Sequence, residues 1–184
     1  MYMRVFVGIE LSEDAVNSLK DVQDSVRPYV ERGNLTIPSN FHLTIWFLGE
    51  VHGELLKLVE HGVQNIANHY KPFDLTLGPL GAFEKKNRFI LWGSVSKGEE
   101  ALNELFAEFV KEFKLIGLHP DPRGINPHIT LGRQLSLLDT IEDLSERYPV
   151  QATQFKVDHL TIFESKRVDD VLRYIPVKRV HLNG

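Results

Sequence analysis

Two six-residue stretches constrain this chain more than any other part of it: NFHLTI from Asn40 and NPHITL from Asn126. Both read Asn, any residue, His, aliphatic, Thr, aliphatic. Successive side chains of a strand point to opposite faces. A strand that buries Leu43 and Ile45 therefore presents His42 and Thr44 side by side on its other face. The second copy does the same with His128 and Thr130. The two histidines stand 86 positions apart in a chain of 184, close to half its length. This spacing predicts a duplicated unit whose halves each deliver one imidazole and one hydroxyl to a shared site.

Other landmarks keep the same period. Arg4 precedes His42 by 38 positions, and Arg88 precedes His128 by 40. Thr76 follows Thr44 by 32, and Thr161 follows Thr130 by 31. Matching landmarks in two halves, about 1–80 and 85–184, predict a single domain built from pseudo-repeats. Each half reads strand, helix, strand, helix, strand, an α+β pattern with helices on one face of each sheet and a cleft between the free faces.

Local signals place the elements. Residues 4–11 read as a first strand. Ser12 is an N-cap for a helix whose buried stripe is Ala15, Leu19, Val22 and Val26, stopped near Pro28. Gly33 and Asn34 read as a turn, with 35–38 a short extended piece. A second helix covers about 52–70, with Leu55, Leu58, Val59, Val63, Ile66 and Tyr70 on one side. Strand 73–77 is expected to break at Gly78, Pro79 and Gly81. A solvated turn at 84–88 leads to a buried strand over 89–95. Residues 99–114 give the clearest helix, with Gly117 its stop. After a Pro/Gly-rich loop over 119–127 and the second motif, Asp139 and Glu142 read as the capping pair of a short helix. Strands over 155–163 and 174–182, joined by a polar turn at 165–170, close the chain.

Composition narrows the function. A net charge of -4 argues against a protein that coats duplex nucleic acid, while leaving room to grip one phosphate. Absence of cysteine excludes disulfides, thiolate metal sites and cysteine nucleophiles. No apolar run approaches the ~20 residues that span a membrane. The apolar run within the first eleven residues is too short for a signal peptide and leads into Ser12, Glu13 and Asp14, so a cytoplasmic protein is the expectation, with a monomer the default.

Two histidines and two threonines facing one another suit a displacement at phosphorus. One imidazole takes a proton while the other gives one, on opposite sides of the reacting atom. Threonine hydroxyls donate to nonbridging phosphate oxygens. The competing chemistry is a zinc site, but no carboxylate or third His stands at a convincing spacing from the pair. The competing class is a nucleotide-binding module without turnover, against which the intact His and Thr of both motifs speak. The aromatic residues Trp46, Phe47, Phe83 and Trp92 could stack a base, and are assigned to the core instead. A third HLTI, at His159, lacks the preceding Asn and aligns by the repeat with Asp74 rather than His42. It reads as an ordinary strand.

The stretches RVFVGIEL, FHLTIWFLGE, RFILWG, PHITLGR and LRYIPVKRVHL together span nearly the whole chain. In them the chain resembles the 2H phosphoesterase superfamily, and within it the LigT-like RNA 2′,3′-cyclic phosphodiesterases. The resemblance implies the duplicated two-lobed fold of that family, with antiparallel sheets lining a central cleft and helices outside. It implies hydrolysis of an RNA 2′,3′-cyclic phosphate to a 2′-phosphomonoester, with no metal or cofactor. His42 would be the general acid, His128 the general base, and Thr44 and Thr130 the phosphate holders, with Arg133 as a further phosphate contact. RNA ends or small cyclic-phosphate nucleotides are the implied substrates, and some relatives also join RNA through a 2′–5′ linkage.

Overall fold

The computed structural model describes residues 2–184, and among these it forms nine strands and four α-helices. In chain order they are β1 (Tyr2–Glu10), α1 (Glu13–Val26), β2 (Val30–Leu35), β3 (His42–His52), α2 (Gly53–His69), β4 (Phe73–Lys85) and β5 (Arg88–Lys97). There follow α3 (Glu99–Lys114), β6 (Ile129–Leu137), α4 (Ile141–Arg147), β7 (Gln154–Val157), β8 (His159–Val168) and β9 (Val171–His181).

Local chemistry sets most of these boundaries. The Ser12 hydroxyl accepts the N–H of Ala15 at 3.2 Å, satisfying one of the free donors at the start of α1. Gly117, with φ +77°, ends the turn after α3, where Leu118 N–H returns to the Phe113 carbonyl at 3.0 Å. The cap of α4 falls one residue later than the sequence suggests. Thr140, not Asp139, accepts the Asp143 N–H at 3.1 Å, and Asp139 instead pairs with Arg147 at 3.0 Å. In α2 the buried stripe is Val59, Gly62, Val63, Ile66 and Ala67, while Leu58 turns to solvent. The stripe is rotated because α3 crosses at Gly62, where a Cβ would stand 3.1 Å from the Phe113 ring.

All strand pairs are antiparallel, in the order β7-β4-β5-β6-β3-β1-β8-β9, with β2 also on β6. Two lobes, β3-β1-β8-β9 and β6-β5-β4-β7, meet at the single bridge Leu43–Ile129. Those two residues are the aliphatic positions inside the two motifs. The strand order reads outward from this seam as β3, β1, β8 on one side and β6, β5, β4 on the other.

The lobes are not the two contiguous halves of the chain. β4 crosses to pair with β5, and β8 crosses to pair with β1. Helix α1 crosses as well. Its Leu19 lies on Gly93 of β5, and its Gln23 amide donates to the Leu131 carbonyl of β6 at 2.9 Å. Helix α3 crosses the other way and packs its phenylalanines against Trp46 of β3. The core is therefore continuous through both lobes, and cutting between the halves would strand apolar faces of each.

Three sequence expectations are corrected. Residues 33–34 are not a turn but lie within β2, where Gly33 adopts φ +108° at an irregular step beside Gln134. Gly78, Pro79 and Gly81 do not break β4, which runs through them with two register shifts. Gly81 is required there because the Trp92 indole lies flat on it, 2.1 Å from where a Cβ would stand. The expected strand over 155–163 is two strands separated at Asp158, β7 joining one lobe and β8 the other. The turns at Lys86–Asn87 and Asp169–Asp170 have positive φ at both residues, the geometry of tight two-residue hairpins.

Candidate active site

Strand alternation acts as expected on the first motif. Leu43 and Ile45 are buried, and His42 and Thr44 share the opposite, cleft-facing side. The His42 Nδ1 lies 2.7 Å from the main-chain oxygen of Asn40. A carbonyl only accepts, so Nδ1 carries the hydrogen, and the neutral ring keeps an unprotonated Nε2. That nitrogen receives the Thr44 hydroxyl at 2.9 Å. The ring is packed by Phe6 at 4.7 Å and edge-on by Tyr174 at 4.9 Å between centroids.

The second motif repeats the device. His128 Nδ1 donates to the main-chain oxygen of Asn126 at 2.7 Å, which again leaves Nε2 free. Phe83 meets this ring edge-on at 5.2 Å, and Trp92 stands 6.4 Å away. Thr130 is buried between Ile129 and Leu131, which face the core. Because the lobes join at Leu43–Ile129 with antiparallel sense, His42 lies on the Thr130 side of the bridge and His128 on the Thr44 side. The structure thus brings both His–Thr pairs to one seam.

Asn40 does more than its place in the motif indicates. Its side-chain amide donates to the Leu172 carbonyl at 2.8 Å and accepts the Tyr174 N–H at 3.1 Å. One residue thereby sets the His42 tautomer and ties β9 to the site. The repeated Asn was the available signal for this.

A bulge moves another residue into the cleft. β1 partners pass from Gly8–Thr44 to Val7–Trp46, leaving Ile45 as an extra residue on β3. Ile45 and Trp46 both turn to the core, and Phe47 returns to the cleft side, 56% exposed. Trp46 is a core residue as expected, but Phe47 is not. Phe83 and Trp92 also lie against His128 rather than away from the site. Strand parity read from sequence cannot show a bulge that depends on the partner strand.

The cleft beside His42 has a volume of about 540 Å³ and is lined by Arg4, Phe47, Arg133, Arg167 and Tyr174 among others. Burial is the largest influence on His42 and pushes its pKa down to about 4. The Asn40 carbonyl opposes this, and the charges of Arg133 and His128 add to it. His128 is lowered too, by burial first and then by Arg133 against the Asn126 carbonyl. Arg133, exposed at the cleft wall, is thus electrostatically felt by both rings. Arg133→Gln removes a charge that disfavours both imidazolium forms, so both pKa values rise. The pH profile of kcat/KM should move to higher pH, with KM increased, as measured by initial rates from pH 4 to 9.

The third HLTI has a different environment. His159 Nε2 meets Glu10 at 2.9 Å and its Nδ1 meets Asp158 at 2.6 Å. Thr161 is fully buried and donates to Glu10 at 2.7 Å. Arg179 also grips Glu10, with bonds of 2.7 and 2.9 Å, and chiefly through this contact holds the carboxyl down at about 2. These bonds tie β1, β8 and β9 together. Among the described residues, Asp158, His159 and His181 bring possible metal-binding atoms within 4.8 Å of one another, whereas His42 and His128 join no such group. His52, His61, His69, His119 and His181 are exposed.

A curled antiparallel sheet with two inward-facing His-x-Thr strands at its seam defines the class of the two-histidine phosphoesterases. Residues 38–169 match the family described as the 2′-5′ RNA ligase superfamily, and the chain belongs to it. A relative from Methanocaldococcus jannaschii, named RNA 2′,3′-cyclic phosphodiesterase, is 26% identical over 89% of this chain and 91% of its own. One of the same name from Aquifex aeolicus is 26% identical over 99% of this chain and 98% of its own. The crystal structure of E. coli LigT complexed with 3′-AMP superposes with a TM-score of 0.84 at 26% identity, covering all of both chains. The chain is accordingly LigT-like in fold, a member of the 2H phosphoesterases. No helix among the described residues is long and apolar enough to cross a membrane.

Proposed function

We propose that this chain hydrolyses the 2′,3′-cyclic phosphate at an RNA 3′ end to a 2′-phosphomonoester. The observation that carries the reading is the shared state of the two histidines. Each donates Nδ1–H to a main-chain oxygen two residues earlier and is left with Nε2 for chemistry. Relatives named RNA 2′,3′-cyclic phosphodiesterase along nearly the full chain support the choice of substrate.

The phosphate lies at the seam, its nonbridging oxygens held by Thr44, Thr130 and Arg133. His128 Nε2 takes a proton from water as the water oxygen bonds to phosphorus. The bond from phosphorus to O3′ breaks, and O3′ takes its proton from His42 Nε2. Both rings are neutral in the free protein at pH 7, because their pKa values lie below the usual 6.5. The bound phosphodiester anion offsets Arg133 and favours the protonated form of His42. Once His42 is an imidazolium, the Thr44 hydroxyl can no longer donate to it and turns to the phosphate. A ribose 5′-hydroxyl in place of water would give a 2′–5′ linkage by the same step. Both roles are filled by imidazoles, so the reaction as drawn needs no metal. The donor set at the seam, two imidazoles with no adjoining carboxylate among the described residues, supports this.

The test is incubation with a short RNA ending in a 2′,3′-cyclic phosphate, in EDTA, followed by identification of the product. A 2′-phosphate is expected. A 3′-phosphate would reverse the placement of acid and base, and activity only after metal is restored would overturn the two-imidazole scheme.

A further inference from the structure

The cleft continues past His42 and Thr44, and most of its far end is built from residues the reaction does not use. Three cationic side chains that the reaction does not use, Arg4, Lys166 and Arg167, line it alongside Arg133 of the phosphate site, and no carboxylate does, in a chain whose net charge is -4. On its floor the exposed Phe47 ring carries the Arg4 guanidinium 5.2 Å above its centroid. Phe47 is three residues along β3 from Thr44, on the order of 10 Å of strand with the bulged Ile45 between them. That is beyond the reach of a phosphate held at the seam.

The opposite wall is the end of the β8–β9 hairpin. Pairing of β8 with β1 stops at Val5–Glu164, and residues 165–174 pair only within the hairpin. The overhang is tied down by the Asn40 amide at Leu172 and Tyr174, so it is a ledge in fixed position rather than a free lid. Lys166 and Arg167 stand on it. The exposed Lys166 pairs with the half-buried Glu164 at 3.0 Å, and Arg167 donates to the Asp170 carbonyl at 2.7 Å, an uncharged partner. The lysine end of that pair lies in solvent, and its ammonium has donors left over for a phosphate.

We propose that Phe47 and Arg4, with Lys166 and Arg167 on the ledge, form a second nucleotide seat. It takes the 5′-phosphate of the terminal nucleotide and stacks the base of the nucleotide before it. The seat rests on the cyclic-phosphate reading and sharpens it. The preferred substrate is an end with at least one upstream nucleotide, not a lone cyclic mononucleotide. A sequence-tolerant contact is expected, because every base has a face to stack and every link a phosphate.

Three substrates test this: a nucleoside 2′,3′-cyclic phosphate, the same with a 5′-phosphate, and a dinucleotide ending in the cyclic phosphate. In the wild type, kcat/KM should rise at each step, by about tenfold overall or more. The Lys166→Ala/Arg167→Ala protein should lose the gain from the 5′-phosphate and show a shallower dependence on salt. Phe47→Ala should lose the gain from the added base, and Phe47→Trp should keep it. Equal kcat/KM for all three substrates, or variants that lower all three in proportion, would overturn the seat while leaving the hydrolysis intact. No hydrolysis of any of them would remove the underlying reading and the seat with it.

Discussion

His128→Ala should lower kcat on a cyclic-phosphate RNA end by roughly 10²–10⁴, the usual contribution of one positioned acid or base. The protein should stay folded, because the hydrogen bond recorded for this side chain is to the oxygen of its own neighbour Asn126, and the ring lies at the cleft rather than in the core. His42→Ala should lose a comparable factor. It also leaves a gap beside Phe6 and Tyr174, so a modest fall in stability accompanies it. Removing both should cost much less than the product of the single losses, since the proposed mechanism has the two groups act in one step. His159→Ala is the internal control. Its ring is held by Glu10 and Asp158, so a small loss of stability and near-normal kcat are expected. Circular dichroism with initial rates measures all four. A fully active His128→Ala protein would sink the mechanism.

Phe109→Ala should destabilise the fold by about 3–5 kcal/mol, read as a lower urea midpoint at an unchanged slope. Phe109 is completely buried and stacks 6.4 Å from Trp46, with Phe113 edge-on to it at 5.1 Å. Truncation leaves a cavity that flanking aromatic rings cannot close without shifting. The loss is at least about a fifth of the stability of an ordinary domain. It also loosens the support under Trp46, the residue that the bulge turns inward. Phe47 and Thr44 flank that point on the cleft face, so KM should rise even where the protein remains folded.

The histidine and threonine faces were legible because alternation is local. Leu43 and Ile45 are apolar and His42 and Thr44 polar, and a strand must separate them. Helices α1 and α3 were legible for the same reason, through Ser12 and an aromatic stripe at helical spacing. Family membership was legible too, since the motifs and their flanks are contiguous strings. The strand through Gly78, Pro79 and Gly81 was not. Those residues signal a break, and it is pairing with β5 that carries the strand through them, with Ser94 against Gly78 and the Trp92 ring on Gly81.

Sequence by itself determined which side chains could do the chemistry and that there would be two matching sets. Tertiary structure decided how the sets meet. The crossing of β4 and β8 between lobes, the seam at Leu43–Ile129 and the extra residue Ile45 all depend on partners far along the chain. No window of neighbouring residues contains those partners. The same holds for the burial that brings His42 down to about 4, because desolvation is a property of everything packed around a ring and not of the ring's own strand.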